Sequence, residues 1–374
     1  MVWCQVTTDN KNTHKLHTLL VFHSQEVILG PDQLISCHPN RWGYSLLTVF
    51  LTACSSPSEL EDDSTRPVPC LSIKSVCTER VAVGSSVYLP VFTTHSLSEG
   101  NPQVTRGLII VHGANRNADD YFQRGFQAAG AVGYQETTVV VAPYFQTSSD
   151  NPASNELFWS SSGWKRGHLS STEGPRPRRS SYSAIDQIVD LLSDPSRFPA
   201  LTEITMTGHS AGGQVAHRYA ATSRAEKNLG SVTMRYVVAN PSTYLYIRQE
   251  RENTGAFLVP DASVCSDYDD WHYGLSERNT YAGALVVDTI KAQLVRRDVR
   301  ILIGDADSLS ASLDVSCGAN LQGPYRFSRG RRLMRFMDQF FPEHSHKEMV
   351  VPNVGHSSSG MYLSAIGLDA LFGT

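Results

Sequence analysis

Gly208-His209-Ser210-Ala211-Gly212, with Gly213 following, stands where an apolar run over residues 201–208 gives way to a helical pattern over residues 214–222. A strand that ends at a serine and turns at once into a helix is a nucleophile elbow: the hydroxyl is lifted above the sheet edge with a backbone amide beside it. The flanking glycines suit a turn too tight for side chains. The pattern is short, so its weight rests on what surrounds it.

Strand-like and helix-like stretches alternate along the chain. Residues 86–92, 106–111, 137–142, 203–207, 234–239, 299–303 and 347–351 are the strand candidates, several of them continuous apolar runs of the kind that parallel strands need when both faces are covered. Ile185, Ile188, Val189 and Leu192 recur at helical spacing, as do Leu333, Phe336, Met337 and Phe340. The alternation predicts an α/β fold: a mostly parallel central sheet with helices on both faces. There is no internal repeat and no low-complexity array.

A serine nucleophile needs a base to take its proton, an acid to orient that base, and donors for the oxyanion. Residues 299–303 run into Gly304-Asp305-Ala306-Asp307-Ser308, which offers two aspartates for the acid. Asp307 is favoured because G-x-x-D after an apolar strand resembles the acid placement of a known hydrolase superfamily, and Asp305 stays open as the alternative. The base is expected at His356, where Val351-Pro352-Asn353-Val354-Gly355-His356 ends a strand-like stretch near the C-terminus. The oxyanion donors are expected at the amide of Ala211 and, from the loop after Leu108-Ile109-Ile110-Val111-His112-Gly113-Ala114, the amide of Ala114, with Asn115 in reserve. His112 reads as structural. His344 and His346 lie close together, but no third ligand accompanies them, so neither a metal nor a cofactor is expected.

With these pieces together, the chain from about Ser86 onward resembles the α/β-hydrolase superfamily and is similar to exported bacterial serine ester hydrolases. The resemblance rests on residues 208–212, on His112-Gly113, and on the placement of Asp307 and His356. It implies cleavage of carboxylic esters through an acyl-enzyme intermediate. The same triad in this superfamily also serves peptidases and amidases, and a non-catalytic envelope binding or scaffold protein with this fold is a further alternative. Residues 240–287 carry no motif and are rich in Tyr, Asp and Trp, which suits a lid or cap. Of the aromatics expected near the site (Tyr144, Phe145, Trp159, Trp164, Trp271), a core role is the default, and Tyr144 and Trp159 are the candidates for substrate contact.

The 374 residues, 41% apolar and 18% charged, are enough for a large core. A net charge of −4 gives no footprint for nucleic acid. The basic stretch Arg176-Pro177-Arg178-Arg179 reads as a solvated loop.

Near the N-terminus, Arg41 precedes a mostly apolar run over residues 44–53, and Leu51-Thr52-Ala53-Cys54 resembles the bacterial lipobox. Residues 1–53 are therefore expected to be a signal region, and a natural start near Leu34 would give it ordinary length. Residues 54–69 are expected to be a lipidated Cys54 and a flexible tether rich in Ser, Pro and acidic residues, and residues 70–374 a single catalytic domain. The expected place is a bacterial cell envelope, with the protein anchored to a membrane by an acyl chain, or secreted; Ser55 after the cysteine resembles the lipoprotein sorting pattern of enterobacteria that implies the outer membrane. Beyond Cys54, Cys70, Cys77, Cys265 and Cys317 form an even set that suggests two disulfides in an exported protein. Three pairings are open, and Cys70 with Cys77 and Cys265 with Cys317 is the favoured one.

Overall fold

The computed structural model describes Cys70 and residues 77–374, together with the backbone of three short strands nearer the N-terminus. Those three, β1 (Cys4–Thr7), β2 (Thr18–Leu20) and β3 (Leu34–Cys37), pair antiparallel in the order β2-β1-β3. Residues 38–69, which hold the apolar part of the expected signal, Cys54 and the expected tether, lie outside the described residues.

In the second unit, residues 64–374, the chain alternates strands and helices much as its apolar periodicity predicts. β4 (Thr78–Ala82), β5 (Tyr88–Thr93), β6 (Arg106–Val111), β7 (Thr138–Pro143), β8 (Glu203–His209) and β9 (Thr233–Ala239) enter one sheet. A small hairpin follows, β10 (Arg251–Asn253) and β11 (Ala256–Leu258), and then β12 (Asp298–Gly304) and β13 (Lys347–Val351) complete the sheet. Its order is β13-β12-β9-β8-β6-β7-β5-β4. Both pairings of β5 are antiparallel and all others are parallel. β4 was not expected from the sequence, because only Val81 of its five residues is buried and an edge strand with one apolar contact leaves little periodicity to read.

Alternate residues of the central strands feed opposite cores, as the two-residue period of a strand requires. Ile109, Val111, Val139, Val141 and Met206 join one apolar cluster, whereas Leu108, Ile110, Val140, Ala142 and Val237 join the other. The second cluster is covered by α1 (Ala118–Ala131), through Tyr121 and Phe122, and by two C-terminal helices. The first is covered by α2 (Ser181–Leu192) and α3 (Ala211–Thr222), then, past the short α4 (Thr280–Gly283), by α5 (Val287–Arg296) and, past α6 (Cys317–Asn320), by α7 (Arg326–Phe340). The C-terminal helices are α8 (Ser358–Tyr362) and α9 (Ala365–Phe372), which place Met361, Tyr362 and Leu371 in the second cluster. Ile185, Ile188, Val189 and Leu192 are fully buried on α2, and Leu333, Phe336 and Met337 on α7, so both helical stripes are core faces. α2 begins at Ser180, whose hydroxyl accepts the Tyr182 amide as an N-cap.

Residues 240–287 fold against this framework. Tyr244, Leu245, Tyr246 and Ile247 are buried, and the Trp271 indole N–H donates to the Arg166 carbonyl at 2.8 Å. Arg178 and Arg179 of the expected solvated loop are engaged in part: their guanidinium groups donate to the carbonyls of Ser170 and Val83.

The cysteines pair as favoured, Cys70 with Cys77 and Cys265 with Cys317, at Cα separations of 5.6 and 5.8 Å. The first spans 7 residues of chain and the second 52. Loop-closure entropy then assigns about 2.5 kcal/mol to the first and about 4 kcal/mol to the second. Urea unfolding of the Cys70→Ala/Cys77→Ala and Cys265→Ala/Cys317→Ala proteins is expected to show the larger loss for the second pair.

Candidate active site

The candidate residues gather at the carboxyl ends of the parallel strands β6, β8, β9, β12 and β13, where open α/β sheets place their crevices. Ser210 follows β8 and opens α3 with φ 58° and ψ −114°, a left-handed conformation that costs a residue with a side chain about 1–3 kcal/mol. The turn is held from both sides, by the Ser210 amide donating to the Ala239 carbonyl at 2.9 Å and the Gln214 amide donating to the Ser210 carbonyl at 3.2 Å. Two glycines make it possible. A Cβ on Gly208 would meet the Gly212 backbone at 2.3 Å, and one on Gly212 would meet the Val111 carbonyl at 2.2 Å.

The Ser210 hydroxyl lies 3.0 Å from His356 Nε2, and His356 Nδ1 donates to Asp307 Oδ2 at 2.7 Å. Asp307 is wholly buried, and its second oxygen, Oδ1, faces the buried guanidinium of Arg326 at 3.4 Å. Arg326 is fixed in turn by the carbonyls of Leu309 and Ala311. Asp305, the alternative acid, is exposed and accepts the Asn353 amide at 2.7 Å, so it caps the turn that leads to His356 and does not touch the imidazole.

Three residues that sequence reasoning missed complete the frame. Asn240, fully buried at the end of β9, accepts the Gly304 amide at 2.9 Å and donates to the Gly355 carbonyl at 3.3 Å, joining the loop of Asp307 to the loop of His356. His209 lies beneath the His356 ring, with centroids 4.5 Å apart. Burial, with the nearby His356 and Arg326 charges, drives its pKa well below the usual histidine value, so it is a neutral neighbour of the base. Arg326 is the third. Asn and Arg have no periodicity, and only the fold brings these distant positions together. His209 did lie inside the quoted pentapeptide, where its adjacency to the serine was a usable signal.

The loop after β6 carries the other expected donors. Ala114 and Asn115 are exposed on it, while His112 is fully buried. The His112 Nδ1–H donates to the Gly113 carbonyl at 2.9 Å, and its Nε2 accepts the Phe145 amide at 3.1 Å. Burial lowers its pKa to about 4, and its ring packs on Trp164 at 4.7 Å, so the expected structural role holds. Arg116, at φ 58°, ties the loop to Asp150 by paired contacts of 2.8 and 3.1 Å, which hold that carboxyl well below its ordinary pKa. The Ala211 amide is one of the first N–H groups of α3, which a helix leaves without an internal acceptor.

A cavity of about 300 Å³ opens beside Ser210, lined also by Ala114, Ala211, Lys165, Arg166 and His272. Neither Tyr144 nor Trp159, the candidates for substrate contact, lines this cavity. Trp159 is 1% exposed, packs edge-on against Phe145 at 5.4 Å, and donates its indole N–H to the His168 carbonyl at 3.1 Å. It borders a different, larger cavity of about 570 Å³ that does not include Ser210. Tyr144 is half-buried behind the loop of His112, 6.3 Å from that ring, and does not line the Ser210 cavity. Trp159 packs in the core through Phe145, whose amide is bonded to His112. His344 and His346 meet edge to face with ring centroids 5.2 Å apart, and their Nε2 atoms face Asp338 and the Leu294 carbonyl.

No protein-family model and no curated protein matches the sequence. Among solved structures, the chain is similar to poly(aspartic acid) hydrolase-1 from Sphingomonas sp. KT-1, at 22% identity over 80% of this chain and 98% of that one, with a TM-score of 0.55. It is likewise similar to LpqC, a poly(3-hydroxybutyrate) depolymerase from Bordetella parapertussis, at 20% identity over 79% and 90% of the two chains, with a TM-score of 0.54. This is the α/β-hydrolase fold. Within that fold, Asn240 is expected to act as the brace between acid and base loops. Asn240→Ala leaves the Gly304 amide unsatisfied in the interior, and each such group costs about 1–3 kcal/mol. Urea unfolding should show a loss of at least that size.

Proposed function

We propose that the protein is a serine hydrolase that cleaves carboxylic esters through an acyl-enzyme intermediate. The observation that carries this reading is the unbroken chain of contacts Ser210 Oγ, His356 Nε2, His356 Nδ1, Asp307 Oδ2, at 3.0 and 2.7 Å. In the cycle that follows from it, Ser210 Oγ attacks the ester carbonyl as its proton passes to His356 Nε2. Asp307 orients the imidazole and stabilises the imidazolium that forms. The amides of Ala211 and Ala114 hold the oxyanion, and preorganised donors of that kind are each worth about 10²-fold to 10³-fold in rate. His356 then gives its proton to the departing alkoxide, which leaves as the alcohol. Water, deprotonated by His356, attacks the acyl-enzyme, and collapse of the second tetrahedral species releases the acid and returns the proton to Ser210.

Arg326 and Asn240 support the cycle by fixing Asp307 and the two loops that meet at the imidazole. That both structural neighbours are hydrolytic enzymes by name agrees with a hydrolase. Export to a cell envelope, with an acyl anchor on Cys54, belongs to the same proposal; its support is the lipobox-like sequence and the two disulfides, which suit an oxidising compartment.

Steady-state hydrolysis of short 4-nitrophenyl esters tests the assignment. Ser210→Ala should lower kcat by about 10⁴-fold to 10⁶-fold, and Asp307→Asn by about 10³-fold to 10⁴-fold. Asp305→Asn should cost less than about tenfold, since it removes a turn contact and leaves the imidazole partner in place. Equal losses for the two aspartates, or full activity in Ser210→Ala, would overturn the reading.

A further inference from the structure

The cavity beside Ser210 has an unbalanced charge. Lys165 and Arg166 both line it, and neither side chain has a carboxylate or hydrogen-bond partner among the described residues. Their backbones, by contrast, are well used. The Lys165 carbonyl accepts from Arg218 and Tyr182, and the Arg166 carbonyl accepts from Trp271 and Asn279. The chain therefore presents two cationic side chains from an anchored turn while leaving their charged ends unspent.

A third cation lies directly behind. Arg218, wholly buried on α3, donates only to neutral acceptors: the carbonyls of His272 and Lys165 and the side chains of Gln214 and Thr243. Asp314 is the carboxylate on the cavity wall, and it is already engaged by the Tyr273 hydroxyl at 2.7 Å and the Ser316 amide at 3.0 Å. Among the described residues, the cavity wall thus carries two cations, with a third buried behind it, against one engaged carboxylate. The half-buried Lys165 amine is held below its ordinary pKa chiefly by burial, with the nearby Arg166 and Arg218 charges adding to this and Asp314 opposing it.

His272 is an independent pointer. It lines the same cavity, is only 4% exposed, and its Nδ1 has no partner. Burial, followed by the charges of Arg218, Arg166 and Lys165, pushes its pKa far down, so its imidazole is neutral. Burying a polar atom without a partner costs about 1–3 kcal/mol unless something supplies the missing bond. Unpaired cations and an unpartnered imidazole on one wall make a poor surface for an alkyl chain and a good one for an anion.

Resting on the ester-hydrolase reading above, we infer that the Ser210 cavity selects esters that carry a negatively charged group, a carboxylate in the simplest case, close to the scissile carbonyl, with Lys165 and Arg166 as the residues that bind it. The acyl and the leaving portion are both within reach of this definition, and the probes separate them. On the acyl side the pair is mono-4-nitrophenyl glutarate against 4-nitrophenyl hexanoate. On the leaving-group side it is 4-acetoxybenzoate against phenyl acetate.

In at least one pair the charged ester should be hydrolysed with kcat/KM about tenfold or more above its neutral partner, a margin that narrows as salt is raised. Lys165→Gln and Arg166→Gln should each lower kcat/KM for that charged ester at least about tenfold more than for the neutral one. Neutral esters preferred in both pairs, or equal losses for charged and neutral substrates in the variants, would overturn the inference.

A second measurement reads the anion site without turnover. The thermal midpoint of the Ser210→Ala protein should rise with glutarate and not with glutaramide, and Lys165→Gln and Arg166→Gln in that background should abolish the rise. No rise with glutarate contradicts the anion site. A rise with glutarate, in a protein whose wild type hydrolyses no ester, sustains the anion site and rejects the hydrolase reading alone.

Discussion

The site depends on one close approach. β8 ends against α3 so tightly that Gly208 and Gly212 touch backbone to backbone and Gly212 reaches the carbonyl of Val111 on the neighbouring strand β6. Side chains at either position would push the helix away from the sheet. With glycines there, the chain can reverse within Ser210 itself, and the cost of its left-handed backbone is met by the buried framework on both sides. The Ser210 hydroxyl and the first amides of α3 are thereby fixed to the same rigid strand end.

The opposite half of the site depends on a second approach, between the loops after β12 and β13. A Cβ at Gly304 would meet the Val354 carbonyl at 2.1 Å, so these loops touch. Asn240 bonds to both, Asp305 caps the turn between them, and Asp307 is left buried with one oxygen for His356 and the other toward Arg326. A carboxylate so enclosed keeps a single orientation. His209, packed at a tilt against His356 and held neutral, supports the imidazole without competing for its proton.

Much of this architecture is legible in the sequence because it obeys short-range rules. The apolar runs of β6 and β7, the helical stripes of α2 and α7, and the glycines around Ser210 each follow from local periodicity or local sterics. Asp307 was separable from Asp305 only by a spacing argument, and the spatial reason, burial against Arg326, comes from residues nineteen positions away. The edge strand β4 and the residues Asn240, Arg326, Lys165 and Arg166 left no such trace. Their roles depend on which strand ends become neighbours, and that is decided by the order β13-β12-β9-β8-β6. Trp159 could be read either way from the sequence, with a core role as the default, because an aromatic has the same composition whether it lines a cavity or fills the core; its side chain is buried.

Covalent labelling of the full-length chain with a fluorophosphonate probe, followed by peptide mass mapping, addresses the nucleophile without assuming a substrate. A stoichiometric adduct on Ser210, formed more slowly in His356→Ala and absent in Ser210→Ala, is the expected result. A folded protein that takes no label, or takes it on another serine, would contradict the assignment of Ser210, His356 and Asp307 as a catalytic unit.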